Sequence, residues 1–271
     1  MLTGADRWSM SNCTRTINFL GQERTLVMGI VNITPDSFSG DGRLSNIDHA
    51  LAQVREMIDD GADIIDIGAE STRPNYTPVS VDEEMSRLEP VLRALIDCPL
   101  PISIDTYKPA VAQAAIDLGA DFINTVHVGR EMIECAARND CPLVVTHNRS
   151  ADDLIDDIKN FFDRTIETAI DVGLDQEKLI FDPGIGFGKT QEQNLMILRQ
   201  LEKLKKYRPL LLGFSRKSVI GYALGLPLDL RDETTGAWSV IEAMKGADIL
   251  RIHNVKLIAP MLRATDVLVK R

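Results

Sequence analysis

From residue 25 onward the chain alternates short apolar runs with longer stretches whose apolar positions recur at helical spacing. The runs are TLVMGIVN (25–32), DIIDIG (63–68), PISID (101–105), DFINTV (121–126), PLVVTH (142–147), KLIFD (178–182), PLLLGFS (209–215) and DILRIH (248–253). Rich in Ile, Leu and Val with little polar alternation, they predict strands covered on both faces. Helical spacing occupies 46–60, 81–97, 108–118, 130–138, 151–172, 190–206, 232–246 and 255–269. Ser80 ahead of Val81-Asp82-Glu83 predicts an N-cap and an acidic first turn. Gly61, Gly119, Gly173 and Gly246 stand where helices should close. The join Gly-Ala-Asp recurs at 61–63, 119–121 and 246–248, a left-handed cap followed by a tight turn into the next strand.

Eight strands alternating with eight helices predict an α/β fold in one domain, a closed (β/α)8 TIM barrel over residues 25–271. An open doubly wound sheet is the competing architecture, but it carries a Gly-rich phosphate loop after its first strand. Here Asn32-Ile33-Thr34-Pro35 stands in that place. Residues 1–24 lie outside the alternation, and RTINFLGQER (15–24) reads as a small hairpin at the bottom of the barrel.

Composition narrows the function classes. A formal charge of −10 excludes a nucleic-acid footprint. It does not exclude a small anion held by a few convergent cations, because net charge speaks mainly to solubility. No apolar run approaches the roughly 18 residues of a membrane span, and the N-terminal residues lack the pattern of a secretory signal. A cytoplasmic protein without membrane association is expected. The four cysteines (Cys13, Cys98, Cys135, Cys141) have no metal-binding spacing and read as free thiols of a reducing compartment.

In such a barrel the chemistry gathers at the C-terminal ends of the strands. There the sequence has Asn32 leading into Thr34-Pro35-Asp36-Ser37-Phe38, then Glu70-Ser71-Thr72-Arg73-Pro74, and Asp105 with Thr106. Asn124 with Thr125, His147 with Asn148, and Asp182 with PGIGFGK follow. Ser215-Arg216-Lys217-Ser218 and Arg251 with His253 complete the rim. One such residue could be a helix cap, as Asp105 could for the third helix. Stability alone does not require all eight loops to be polar. Asp105, Asn124 and Asp182 suit a flat heterocycle rich in N–H donors, with Lys217 donating to its acceptors. Arg251, His253 and Asn32 suit an anion, such as a pyrophosphate with magnesium. Ser39-Gly40-Asp41-Gly42 and the Pro/Asn-rich 74–78 read as loops able to close over the site.

The remaining conspicuous residues take plainer readings. Trp238 belongs to a helix and to packing, and His49 and His127 to surface or loop. Lys189 is not a phosphate-loop lysine, because the GxxxxGK[ST] spacing is absent.

The segments MGIVNITPDSFSGDG, DIIDIGAESTRP, ISIDTYKP, FDPGIGFGK, LLGFSRKS and LRIHNVK, in that order, resemble the signatures of the dihydropteroate synthase family over nearly the whole chain. The resemblance implies condensation of (7,8-dihydropterin-6-yl)methyl diphosphate with p-aminobenzoate, releasing pyrophosphate. It further implies that Asp105, Asn124, Asp182 and Lys217 bind the pterin, and that Asn32, Thr72, Arg251 and His253 hold the diphosphate. Mg²⁺ would sit near Asn32. Asp36, Phe38, Arg73, Pro74 and Ser215 would form the aminobenzoate pocket, and Asp36, Asp105, Asp182 and Lys217 would be catalytic. A homodimer, joined through the last helices, is implied as well.

The sequence departs from the family pattern at Thr125, where Asp is usual, at Thr146, where Met is usual, and at Asn254 in the strand-eight HDV motif. Losing an apolar contact to the ring at Thr146 would weaken pterin binding by about 1 kcal/mol. These departures keep open a non-catalytic pterin-binding paralogue. A corrinoid-dependent methyltransferase sharing barrel and pocket is a further alternative, but it would not need the TPDSF loop or the Ser215–Lys217 turn.

Overall fold

A computed structural model describes residues 24–33, 43–70 and 78–269. Eight parallel strands form one sheet: β1 (Leu26–Asn32), β2 (Ile64–Gly68), β3 (Ile102–Asp105), β4 (Phe122–Thr125), β5 (Leu143–Thr146), β6 (Leu179–Asp182), β7 (Leu211–Leu212) and β8 (Ile249–Ile252). The sheet runs in the order β6-β5-β4-β3-β2-β1-β8-β7, and a parallel bridge between Phe181 and Leu210 brings β6 against β7. That contact rolls the sheet into the barrel. Around it lie α1 (Arg43–Asp59), α2 (Val81–Ala94), α3 (Pro109–Asp117), α4 (Arg130–Arg138), α5 (Leu154–Val172), α6 (Gln191–Arg199), α7 (Ser218–Leu224), α8 (Asp232–Lys245) and α9 (Val255–Val269). The expected (β/α)8 architecture stands. The N-terminal hairpin expected over 15–24 falls almost wholly outside the described residues.

Side-chain alternation along each strand separates a dry floor from a polar mouth. Leu26, Met28, Ile64, Phe122, Val144, Ile180, Leu211 and Ile249 meet inside the barrel as one apolar plug. Two residues further along the same faces stand Asp66, Asn124, Thr146, Asp182, Gly213 and Arg251. The opposite faces, with Val27, Ile65, Ile104, Ile123, Val145 and Leu250, join the helix-covered core. Both faces are therefore apolar near the strand starts, and only the inward face turns polar at the ends.

The repeated Gly-Ala-Asp joins set the register. Each glycine takes a positive φ (94°, 96° and 114° at Gly61, Gly119 and Gly246) that L side chains rarely adopt. Each alanine is buried beneath the turn. Each aspartate then accepts a backbone N–H at the start of a neighbouring strand: Asp63 from Val27 at 2.8 Å, Asp121 from Ile102 at 2.7 Å and Asp248 from Leu210 at 2.8 Å. Arg24 and Arg263 pair with Asp63, and Arg208 with Asp248, so these carboxylates are neutralised where they are buried.

Two elements depart from the sequence expectation. The 190–206 stretch is α6 followed by a 3₁₀ segment (Leu201–Tyr207) rather than one helix. The short α7 was not anticipated; it is closed after seven residues by Gly225 at φ 69°. Ser80 caps α2 as expected, its hydroxyl accepting from Glu83 N–H at 3.1 Å. Asp105 is not a cap: α3 begins after Lys108, whose N–H donates to Thr106 Oγ1 at 3.2 Å. Among the described residues no helix is long and apolar enough to cross a membrane.

Candidate active site

At the mouth of the barrel, strands β2, β3, β4 and β8 converge on one ion cluster. Arg251 on β8 donates from Nε to Asp66 Oδ2 and from a terminal nitrogen to Asp105 Oδ2, each at 2.6 Å. Asn124 donates to the same Asp66 oxygen at 3.2 Å. The other oxygens, Asp66 Oδ1 and Asp105 Oδ1, are buried without a hydrogen-bond partner. A buried carboxylate oxygen left unpaired is costly. Two of them in one mouth suit a ligand that brings N–H or O–H donors.

The cluster perturbs its own protonation. Burial pushes the Asp105 carboxyl up to about 6; Arg251 pulls it back down, while the like charge of Asp66 adds to the rise. For Arg251 burial works against the charge, but Asp66 and Asp105 outweigh it and hold the guanidinium above its ordinary value.

A second group belongs to β6 and β7. The loop Asp182-Pro183-Gly184-Ile185-Gly186-Phe187-Gly188-Lys189 uses left-handed backbone at Gly184, Gly186 and Gly188. At Gly184 the demand is absolute, since a Cβ there would lie 1.9 Å from the His147 carbonyl oxygen. The loop curls so that Gly184 N–H donates to Asp182 Oδ1 at 2.7 Å. The Ile185 carbonyl accepts from Lys217 Nζ at 2.5 Å, and Phe187 puts its ring 4.2 Å from that ammonium. Burial raises the Asp182 carboxyl, and Lys217 with the Gly184 N–H opposes the rise. Burial lowers Lys217 to about 8, and Asp182 keeps it from falling further. Lys189 knits the loop together, its ammonium donating to the carbonyls of His147 (2.7 Å), Gly184 (3.0 Å) and Phe187 (3.1 Å).

Lys217 is aimed by a strained turn. Arg216 sits at φ 59°, unusual for a side chain of its size. A bidentate pair with Asp232 at 2.6 and 2.7 Å holds it there, and Arg231 donates to its carbonyl at 3.0 Å. Asn254, one of the departures from the family pattern, donates to Asp232 at 3.0 Å and accepts from Leu257 N–H at 3.1 Å. A carboxylate at 254 could not make the first of these bonds, so asparagine suits this turn.

Asp105, Asn124, Asp182, Lys217 and Arg251 thus line one mouth. Ser215 and His253 pair with each other, the Ser215 hydroxyl lying 3.0 Å from His253 Nδ1 and 3.2 Å from its backbone nitrogen. Arg251, grouped with His253 in the sequence, turns its guanidinium to Asp66 and Asp105 instead. Asp36, Phe38, Thr72, Arg73 and Pro74, and the loop segments 39–42 and 74–77, lie outside the described residues. Thr125 and Thr146 are both buried, Thr125 hydrogen-bonding to the His127 backbone at 3.3 Å. Trp238 packs against Phe214, as a core residue should.

The sequence assigned no role to Asp66 or Phe187, and for Lys189 it excluded only a phosphate loop. Asp66 left a signal, being the lone charge within the run IIDIG at the inward spacing from Ile64. Among the described residues no group of three or more His, Cys, Asp or Glu side chains gathers as a metal site would require.

A parallel (β/α)8 barrel with a buried, ligand-hungry ion cluster at the strand ends defines an enzyme-type pocket, and the sequence profile of the pterin binding enzymes matches residues 28–253. A dihydropteroate synthase of Clostridium beijerinckii is 48% identical over 258 residues, covering 92% of this chain and 96% of the relative. The dihydropteroate synthase of Clostridium difficile, solved in the presence of pteroic acid, superposes with a TM-score of 0.88 at 43% identity, covering 92% and 98% of the two chains. That of Xanthomonas albilineans, solved with 4-aminobenzoic acid, gives 0.86 at 37% identity over 90% and 93%. The chain belongs to the dihydropteroate synthase family of pterin-binding enzymes.

Proposed function

We propose that this protein is a transferase of folate biosynthesis, joining (7,8-dihydropterin-6-yl)methyl diphosphate to p-aminobenzoate to give dihydropteroate and pyrophosphate. The observation that carries this reading is the pair of unpartnered, buried carboxylate oxygens on Asp66 and Asp105, ringed by Asn124, Arg251, Asp182 and Lys217. A flat aminopyrimidinone edge offers the donors those oxygens lack. Asp105, Asn124, Asp182 and Lys217 bind the pterin. Asn32, Thr72, Arg251 and His253 hold the diphosphate, with Arg251 on the border between the two groups. Asp36, Phe38, Arg73, Pro74 and Ser215 surround the aminobenzoate, by the motifs they share with the family.

The reaction needs no protein nucleophile. The bond between the pterin methylene and the diphosphate oxygen breaks, and its electron pair leaves with pyrophosphate. Asp105 and Asp182 stabilise the cationic methylene-pterin left behind, an effect of preorganised charge worth several kcal/mol by order of magnitude. The aminobenzoate nitrogen then attacks the carbon and gives up a proton to solvent.

Asn32, at the end of β1, would offer its side-chain oxygen to a magnesium ion carried mainly by the diphosphate and water. When bound, it would supply neutralising charge to the departing pyrophosphate.

The test is pyrophosphate release from the purified protein with the pterin diphosphate, Mg²⁺ and p-aminobenzoate. Release should depend on the aminobenzoate, yield dihydropteroate and fall at least about a hundredfold in Lys217→Ala. Pterin binding without product above that variant would instead establish the non-catalytic paralogue.

Two further readings accompany the reaction. A cytoplasmic location is supported by the buried free thiols of Cys135 and Cys141, which suit a reducing compartment. A homodimer through the last helices is supported by the exposed Tyr222 and Leu224 on α7, Leu228 and Leu230 after it, and Ile241 and Met244 on α8. Light scattering after size exclusion should give a dimer mass, and Ile241→Glu with Met244→Lys should shift it to the monomer. A monomeric mass for the unaltered chain would overturn the dimer.

A further inference from the structure

Lys189 closes the loop that follows β6, and no step of the reaction above uses it. Its ammonium donates to three backbone carbonyls: His147 after β5 (2.7 Å), Gly184 near the start of the loop (3.0 Å) and Phe187 at its far side (3.1 Å). The backbone of His147 thereby holds the loop at two points. Its N–H donates to the Asp182 carbonyl at 2.9 Å, and its own carbonyl takes Lys189. From the other side the buried Asn194 of α6 accepts from the Gly186 N–H at 2.8 Å.

Three groups of this loop reach the mouth. Asp182 presents its carboxylate there, the Ile185 carbonyl accepts from Lys217 Nζ, and the Phe187 ring lies 4.2 Å from the same ammonium. A shift of Gly184 or Phe187 would move all three together. An ammonium is a costly clamp in such a place. Burial lowers Lys189 to about 7; Asp182 and Asp157 oppose the fall, while Lys217 and Arg149 add to it. What the charge provides is a single point at which both ends of the loop and the neighbouring strand meet.

We propose that Lys189 is a positioning residue for the pterin: by clamping the carbonyls of His147, Gly184 and Phe187 together it sets where Asp182 and, through Ile185 and Phe187, Lys217 meet the ring. The proposal rests on the reading above, in which Asp182 and Lys217 bind the pterin. A clamp made before the ligand arrives lowers the ordering that binding must otherwise supply. Site groups keep a productive geometry only where supporting residues fix them.

Lys189→Met keeps an unbranched side chain and removes the ammonium. Calorimetric titration with 6-hydroxymethylpterin, which carries the ring without diphosphate or aminobenzoate, should show binding weakened about tenfold, the size of one charge-assisted hydrogen bond. In steady-state kinetics the KM for the pterin diphosphate should rise by a similar factor, while that for p-aminobenzoate stays within about twofold. Unchanged pterin affinity in Lys189→Met would overturn the proposal. So would an equal rise in both KM values, which marks a general loosening of the barrel mouth. Should Lys189→Met not fold, Lys189→Gln keeps N–H donors without the charge and should weaken pterin binding about threefold; no change there would overturn it equally. Should the unaltered protein bind the pterin but make no dihydropteroate, the synthase reading falls and the titrations alone decide between the same two outcomes for Lys189. An unaltered protein that binds no pterin overturns both.

Discussion

Asp182→Asn is expected to lower kcat/KM for the pterin diphosphate by about 10²–10³-fold with the fold intact. Asparagine keeps the size of the side chain and an oxygen for the Gly184 N–H, now 2.7 Å from Asp182 Oδ1, so the glycine-rich loop should hold its course. Two things are lost. The amide turns a donor toward the site where the carboxylate accepted, and the negative charge that supports Lys217 disappears. Asp182 is the group that keeps the buried Lys217 from falling below about 8. Without it the lysine should lose its proton at a lower pH, and the basic limb of the kcat/KM profile should move to lower pH with it. A loss of less than tenfold, with the basic limb unmoved and the melting temperature unchanged, would remove Asp182 from the site.

The second large effect is on stability. Arg251→Met should lower the unfolding free energy at neutral pH by about 3–5 kcal/mol, the usual cost of removing one partner from a buried ion cluster. Arg251 is the cation of two carboxylates at once, Asp66 and Asp105, at 2.6 Å each. Its removal leaves the two carboxylates facing one another without a cation between them. The sign of the pH dependence follows from Asp105, whose carboxyl is raised by burial from 3.8 to about 6. A group raised on folding binds more protons in the folded chain, so its contribution falls as pH rises between those two values. Arg251 draws that value down, so in the variant the window extends to higher pH. Urea titrations at pH 5.5 and 7.5 should therefore show a smaller deficit at the lower pH, where the carboxyls can protonate. Equal deficits, or one below about 1 kcal/mol at neutral pH, would mean that the cluster carries little of the stability.

Much of the fold was legible because strands covered on both faces are continuous apolar runs, and every one of the eight was found within a few residues. The least accurate was the seventh. The run PLLLGFS stays apolar through Phe214, but only Leu211 and Leu212 pair with β8. Apolar character reports burial, and burial continues where the ladder has stopped. The helix expected over 190–206 failed similarly, since Leu201, Leu204 and Tyr207 bury themselves from 3₁₀ geometry as well as from α geometry.

The site was legible as a set of residues but not as a set of partners. Asp105, Asn124, Asp182 and Lys217 stood out because stability alone does not require polar side chains at every strand end. Asp66 lies one layer deeper, inside an apolar strand, and its role depends on Arg251, which is 185 residues away along the chain.

By itself the sequence determined the period of the chain, the helix-closing glycines, the rim of polar strand ends and the family motifs, all of which are local properties of a few neighbouring residues. Only the tertiary structure decided that Arg251 bridges Asp66 and Asp105 rather than joining His253, that Lys189 ties three carbonyls of its own loop and of His147 together, and that Glu70 meets Lys108, Tyr107 and Val79. Those pairings follow from closing the barrel, which brings distant strands within hydrogen-bond reach and removes the water that would otherwise have satisfied each charge separately.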